Sequence, residues 1–303
     1  MRICFIEPHL LCVGGIRRII EVANRLKKRG HFVRIYTPPG RPCGWMESDV
    51  EVEKISKLPH RVYDIALFNL AEQYPVAIET KARMRVFWVL APEALYKDPN
   101  IPIKALRQNF HFLANSTFSA NYIKRFRKVK EHIPIIPGGI NPEHFKFVPK
   151  TPKKYDILYY GSPRPWKGGH LVEGSLRGYK LLKMHGLNTP QDKIHELYNQ
   201  STIFVSANQM EGFSFMQLEA MACGCPVVTT DDGGSQDYIK SGYNAVVVSR
   251  SHSGLQTGAS ILLGDKNLRA KLRRNGLVTS QDPKFSWDNV TEELEQYFLH
   301  ILQ

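Results

Sequence analysis

The opening 36 residues restrict the fold more than any other stretch of the chain. Residues 2–6 form an apolar strand that runs into a loop reaching Gly14-Gly15. A helical pattern follows, with Ile16, Ile19, Ile20, Ala23 and Leu26 on one side and Arg17, Arg18, Arg25, Lys27 and Lys28 on the other. Apolar residues at that spacing share one face of a helix. Gly30 closes it, and His31-Phe-Val-Arg-Ile-Tyr36 reads as the next strand. This is a βαβ unit, and the glycine turn where its strand meets its helix is the usual place for a phosphate or a second substrate. A full G-x-G-x-x-G is missing, so no dinucleotide fingerprint is assigned.

The alternation continues. Strands are predicted at Asp64-Ile-Ala-Leu-Phe68, Met84-Arg-Val-Phe-Trp-Val-Leu90 and Phe110-His-Phe-Leu-Ala114. Asn115-Ser-Thr-Phe-Ser119 caps a helix over roughly residues 118–128, and Ile133-Pro-Ile-Ile136 is a further short strand. Val148-Pro-Lys-Thr-Pro-Lys-Lys154 reads as a linker. Beyond it Tyr155-Asp-Ile-Leu-Tyr-Tyr160 begins a second series, with strands at Thr202–Val205, Pro226–Thr230 and Ala245–Val248. Thr189-Pro-Gln-Asp192 starts a helix with Ile194, Leu197 and Tyr198 on one face. Ser235 is expected to cap a short helix through Ile239, and the C-terminal tail reads as helical. The expected fold is α/β: two Rossmann-like, doubly wound domains facing across a cleft, residues 1–150 and 151–303. The C-terminal helix is left free to pack back on the first.

Composition narrows the function. A hydrophobic fraction of 43% with 23% charged residues is ordinary for a globular protein. No run approaches the ~18 apolar residues of a membrane span. Met1-Arg-Ile-Cys-Phe-Ile6 is broken by Glu7, Pro8 and His9, so it reads as a strand and not a signal peptide. Cys4, Cys12, Cys43, Cys223 and Cys225 make neither a C-x-x-C pair nor a disulfide framework, so reduced thiols and a cytoplasmic location are expected. A formal charge of +13 favours anionic partners: nucleotide phosphates, nucleic acid or anionic lipid. The chain has no aromatic-basic RNA signature and no DNA-reading helix, which argues against nucleic acid.

The chemistry concentrates at Glu211-Gly-Phe-Ser-Phe-Met-Gln-Leu-Glu219, followed by Ala-Met-Ala-Cys-Gly-Cys-Pro-Val-Val. Phe215, Leu218 and Ala222 give a short helix one apolar face, Gly224 stops it, and a buried strand follows. A sharp turn feeding a helix aims backbone N–H groups and the positive end of a dipole outward, where an anion is welcome. Glu219 can accept from ribose hydroxyls while Glu211 lies nearer the group the phosphate carries. The plainer alternative is a capped core helix with two solvated glutamates.

This stretch resembles the E-x7-E motif of glycosyltransferase family 4, the retaining nucleotide-sugar glycosyltransferases. Five more segments are similar to that family and stand in its order: Gly14-Gly15 through Arg29-Gly30-His31, Ala114-Asn-Ser-Thr-Phe118, Pro137-Gly-Gly-Ile-Asn141 with Phe145, Gly161-Ser-Pro-Arg-Pro-Trp-Lys-Gly168, and Gly233-Gly234 with Gly242-Tyr-Asn244. The resemblance implies a GT-B fold, a nucleotide-diphosphate-sugar donor, a saccharide or lipid-linked acceptor and retention of anomeric configuration. It implies no cofactor and no metal ion, and the chain shows neither a D-x-D nor an H-x-x-x-H motif. Carried onto this chain, the donor site comprises Gly15, Gly161, Lys167, Arg164, Gly212, Phe213, Ser214 and Glu219. Glu211, Lys167 and Arg164 carry the reaction, the two cations neutralising the leaving diphosphate. A residue near Glu93 often approaches the sugar or acceptor in this family, and His9 stands at the mouth of the first strand. Polysaccharide or cell-envelope assembly is the associated role.

Two departures qualify the resemblance. The family places an arginine directly after the glycine, where this chain has Ser162, and Arg164 comes two positions late. Between Gly168 and Val205 the family carries an additional helix, strand and glycine turn, and His170–Tyr179 looks too short to hold them. This implies either a trimmed donor domain or a part of the chain absent from this sequence. Separately, Asn121-Tyr-Ile-Lys-Arg-Phe-Arg-Lys-Val-Lys130 places cations beside Tyr122, Ile123, Phe126 and Val129 at helical spacing. It reads either as an ordinary helix with a solvated basic face or as a membrane-surface helix that would dock the protein at the inner face of an anionic membrane. Two other functions stay open: a nucleotide-sugar epimerase of the same fold, and a non-catalytic basic module.

Overall fold

The computed structural model describes residues 1–90, 100–128, 130, 132–185 and 193–303. It divides into two compact units, Met1–Gly139 with Trp287–Gln303, and Ile140–Ser286.

The first unit is built on β1 (Arg2–Ile6), α1 (Gly14–Lys28), β2 (Phe32–Thr37), β3 (Glu51–Lys54), β4 (Tyr63–Phe68), α2 (Tyr74–Glu79), β5 (Ala82–Val89), α3 (Asn100–Leu106), β6 (His111–Ala114) and α4 (Thr117–Arg127). Its strands form one parallel sheet in the order β3-β2-β1-β4-β5-β6. The βαβ reading of the first residues holds, with Ile16, Ile19, Ile20, Ala23 and Leu26 all buried, but Arg18, expected on the outer side, is buried as well. Ser116 caps α4 by accepting from the Ser119 amide. The expected strand at Ile133–Ile136 is reduced to one bridge, Ala114 to Ile135.

The sequence reading overlooked β3. Its alternation is polar because it is a sheet edge, where Glu51 and Glu53 pair with Arg34 of the neighbouring β2. Charges on an edge strand discourage further strand pairing and also hide the strand from a search for apolar runs.

The second unit holds β7 (Tyr155–Tyr159), α5 (Gly169–Ser175), β8 (Leu181–Lys183), α6 (Ile194–Asn199), β9 (Ser201–Ser206), α7 (Phe215–Ala222), β10 (Val227–Thr230), β11 (Ala245–Val248), α8 (His252–Gly264) and α9 (Lys266–Ser280). This sheet is also parallel, in the order β11-β10-β9-β7-β8. The segment His170–Tyr179 holds most of one helix, α5, and the three-residue β8 follows beyond it at Leu181–Lys183. Gly168, at φ 66°, turns the chain directly into α5, so almost no loop is spent. Ser235–Ile239 is a hydrogen-bonded turn and not a helix, closed by the Tyr238 and Ile239 amides on the Ser235 carbonyl. The start assigned to Thr189–Asp192 lies outside the described residues.

A last helix, α10 (Trp287–Leu302), belongs to the first unit and buries Trp287, Val290, Leu294 and Phe298. It is tied to α1 and the turn after it by Arg25 to Asp288 (2.8 Å) and by Arg29 to Glu295 (2.6 Å). The boundary expected at 150/151 falls instead at 139/140. Ile140 and Phe145 pack in the second core with Tyr198 and Phe204. The Val148–Lys154 stretch is docked and not a free linker: the Val148 amide donates to Asn199 Oδ1, and Lys153 Nζ donates to the carbonyls of Asn199 and Ser201.

Candidate functional site

In a parallel sheet the chain leaves a crevice beyond the strand ends where the winding direction reverses, and ligands bind there. In the second unit that point lies between β7 and β9. A small cavity opens there, lined by Tyr160, Gly161, Lys167, Ser206, Ala207 and Asn208.

The loop from 161 to 169 closes over the end of β9 at a separation only glycine permits. A side chain at Gly168 would overlap the Ala207 carbonyl, and one at Gly169 would come within 2.7 Å of Gly161 Cα. Gly161 and Gly168 both take positive φ, 67° and 66°, where a β-carbon is strained. Arg250 fastens the arrangement by donating to the carbonyls of Ala207 and Pro165, each at 2.9 Å. The Gln209 amide donates to the Trp166 carbonyl at 2.7 Å.

Lys167 is thereby brought to Glu211, 44 positions away, and the two form an ion pair. Both side chains are largely enclosed, 18% and 15% exposed. Burial raises the Glu211 carboxyl above its ordinary range, Lys167 opposes that, Asp232 raises it further and Arg164 lowers it. Arg164 is exposed, its guanidinium 5.8 Å from the centre of the Trp166 ring. It acts on Glu211 through space and is absent from the crevice lining.

The turn after Glu211 is held from below. The Glu211 amide donates to the Asp232 carbonyl at 2.8 Å, and Glu211 bridges Gly233. A side chain at Gly234 would overlap the carbonyls of Glu211 and Gly212. Ser214 sits at φ 62°, ψ 62°, and the Tyr238 hydroxyl donates to its carbonyl. The Phe213 ring is buried among Phe215, Tyr238 and Phe285, so any ligand role of this residue falls to its backbone. Glu219 is 3% exposed and accepts from the Tyr198 hydroxyl at 3.0 Å. A ribose would have to share or displace Tyr198 to reach it.

The first unit has the corresponding point between β1 and β4. Ile6 is level with Phe68, and Phe68 with Phe87, so Glu7, Asn69 and Trp88 stand side by side one residue further on. All three are buried. Burial pushes the Glu7 carboxyl well above the usual carboxylate range, opposed by Asn69. Arg18 of α1 lies over Trp88, 5.1 Å from the ring centre, and burial lowers it to about 9. Gly15 is in the first turn of α1, where an added β-carbon would make only ordinary contact with Leu90 at 3.5 Å. His9 is partly buried in the preceding loop and accepts from the Leu11 amide at 3.3 Å. Glu93 lies outside the described residues.

Sequence reasoning passed over Asp232, Arg250 and Tyr198. Asp232 lies two residues beyond β10 and carried no signal apart from its place before a glycine pair. In α4, Tyr122 and Ile123 are buried, Phe126 packs on the core, and Arg127 donates to the carbonyls of Leu106 and Gln108. The apolar stripe a membrane-surface helix would insert therefore packs internally as far as the described residues go; Val129 lies outside them. Among the described residues no helix is long and apolar enough to cross a membrane, and no three metal-ligating side chains converge.

Residues 179–278 match the family described as glycosyl transferases group 1. That span runs through the Glu211–Glu219 turn and Asp232 and stops short of Lys167. The chain is 32% identical over 103 residues to a D-inositol 3-phosphate glycosyltransferase of Acidothermus cellulolyticus, covering 34% of this chain and 22% of that protein. It is 26% identical over 205 residues to the capsular polysaccharide biosynthesis glycosyltransferase CapM of Staphylococcus aureus, covering 65% and 50%. The chain thus spans half or less of the length of these relatives. Anabaena Alr3699/HepE, solved with UDP and glucose, superposes with a TM-score of 0.79 at 16% identity over 99% of both chains. WaaG, a glycosyltransferase involved in lipopolysaccharide biosynthesis, gives 0.76 at 15% identity over 98% and 99%. The fold is that of GT-B glycosyltransferases.

Proposed function

We propose that the protein transfers a sugar from a nucleotide-diphosphate-sugar donor to a saccharide or lipid-linked acceptor, with retention and without a metal ion. The observation that carries this reading is the meeting of Lys167 and Glu211 at the β7–β9 switch point, beside a turn that leads into α7. Lys167 is paired with Glu211. A diphosphate entering the crevice takes over the lysine, whose bond strengthens as negative charge builds on the leaving group. Arg164, exposed and close enough to influence Glu211, adds positive charge at the mouth. The amides of the 212–214 turn and the α7 dipole meet the phosphates, since α7 has no acidic residue in its first turn and no side-chain cap. Glu211, released from Lys167, turns to the sugar.

The group 1 family match, the HepE structure with UDP and glucose, and the similarity to CapM support this reading. The test is turnover of UDP-, GDP- and ADP-sugars by the purified chain, with and without candidate saccharide or lipid-linked acceptors and with EDTA present. The expected result is acceptor-dependent release of nucleoside diphosphate, undiminished by the chelator, with the product keeping the donor's anomeric configuration. Donor conversion without acceptor would assign epimerisation instead, and no nucleotide binding at millimolar concentration would defeat the reading.

A further inference from the structure

We propose that Asp232 is a positioning residue of this site: its buried carboxylate holds Ser214 in the left-handed conformation and so fixes the turn that sets Glu211 against Lys167. This rests on the reading of the crevice as the donor site.

Ser214 occupies the position before α7, where a serine hydroxyl ordinarily accepts from a helix amide. Here it does not cap the helix. Its Oγ donates instead to Asp232 Oδ2, which also receives Gln217 Nε2 at 2.9 Å. The other oxygen, Oδ1, receives the Ser235 amide at 2.9 Å and the Ser235 hydroxyl at 2.7 Å. Four donors thus converge on one carboxylate that is 1% exposed. A buried carboxylate needs that many partners. Burial raises this carboxyl and each of these bonds opposes the rise.

The conformation of Ser214 gives the arrangement its purpose. Positive φ is the natural place for glycine, and a residue with a β-carbon is strained there. Serine contributes what glycine lacks, a hydroxyl that Asp232 can hold. One oxygen of Asp232 therefore grips the Ser214 hydroxyl and the first turn of α7, while its main-chain carbonyl takes the Glu211 amide. Gln217 extends the hold to Thr229 of β10 at 2.8 Å. A residue serving only the core would not need to bond to both ends of the 211–214 turn.

The experiment compares the full chain with Asp232→Ala, Asp232→Asn, Ser214→Ala and the double variant Asp232→Ala/Ser214→Gly. Binding of UDP, GDP and ADP is measured by calorimetry, and amide hydrogen exchange is followed over residues 211–216. Asp232→Ala is expected to weaken the best nucleoside diphosphate about tenfold and to speed exchange in that segment by a similar factor, leaving the first unit unchanged. Asp232→Asn keeps one oxygen acceptor and recovers part of the loss. The double variant recovers binding to within about threefold of the parent, because glycine takes the left-handed conformation without a tether. A merely structural aspartate would lower stability without this rescue. Unchanged binding and unchanged exchange in Asp232→Ala would overturn the proposal. Should that variant fail to fold, Ser214→Ala removes the hydroxyl alone, and unchanged values there would overturn it equally. If the parent chain binds no nucleoside diphosphate the donor-site reading fails, while exchange over 211–216 still decides whether Asp232 holds the turn.

Discussion

At the β1–β4 switch point the strand ends carry Glu7, Asn69 and Trp88, all enclosed, with Arg18 lying over the indole. At the β7–β9 switch point they carry a crevice in which a lysine faces a glutamate, under a loop fastened by Arg250. Both sheets wind the same way around their first strand, and both continue through a glycine pair into a helix. In the first unit Gly15 has room for a β-carbon, and the acid is buried beside Asn69. In the second the glycines are crowded against backbone and the acid is matched by a cation. Topology supplies a place for a ligand in each unit, and the side chains decide which place attracts an anion.

The largest effect that would sharpen this contrast is loss of the cation. Lys167→Ala is expected to lower kcat/KM for the sugar nucleotide by about 10²–10³-fold, the scale of removing one transition-state charge partner. A loss below about threefold would erase the distinction between the two switch points.

Next come the glycines. Gly168→Ala is expected to cost about 2–4 kcal/mol in denaturant unfolding, since the new β-carbon meets the Ala207 carbonyl at a positive φ. Gly15→Ala, in the open first turn of α1, is expected to hold or raise stability by up to about 1 kcal/mol. Equal responses from the two would show that the glycine pairs serve the same purpose.

The buried Glu7 gives a smaller, pH-dependent signal. Its folded-state value is raised above the ordinary 4.5 by burial, so the folded protein holds this proton more tightly than the unfolded chain. The stability from that proton is fully present below about pH 4.5 and is lost as pH rises toward the folded value, at no more than ~1.4 kcal/mol per pH unit. Glu7→Gln is expected to remove this slope and to be the more stable protein at pH 8. Parallel stability curves between pH 4 and 8 would show that Glu7 is charged in the fold.

The weakest expected effect belongs to the ion pair between Arg25 and Asp288, and Arg25→Ala is the wrong way to reach it. That variant removes the partner of the exposed Asp288 and also of the buried Glu21. The surface pair is isolated by Asp288→Asn, which removes a charge on a side chain 80% exposed and should cost less than about 1 kcal/mol.

Much of the fold was legible because periodicity and glycine stops agreed: β1, α1 and β2 follow directly from the spacing of Ile16, Ile19, Ile20 and Leu26. Elements whose pattern is set by neighbours were not. The polar alternation of β3 makes sense only beside Arg34, and β8 is too short to show a period. Within the candidate site, the residue types at 167 and 211 could be read, but their pairing depends on a fold that brings together positions 44 apart. Asp232 was hidden for the same reason. In sequence it is one of two aspartates before a glycine pair, and only the approach of Ser214 reveals what its carboxylate grips.

Because α10 follows Ser286 in the sequence yet completes the first unit, synthesis on the ribosome runs out of step with assembly. The opening sheet emerges early and waits with the face for Trp287, Leu294 and Phe298 uncovered until the entire second unit has been translated. Native closure of the first unit therefore has to wait for the second to be made.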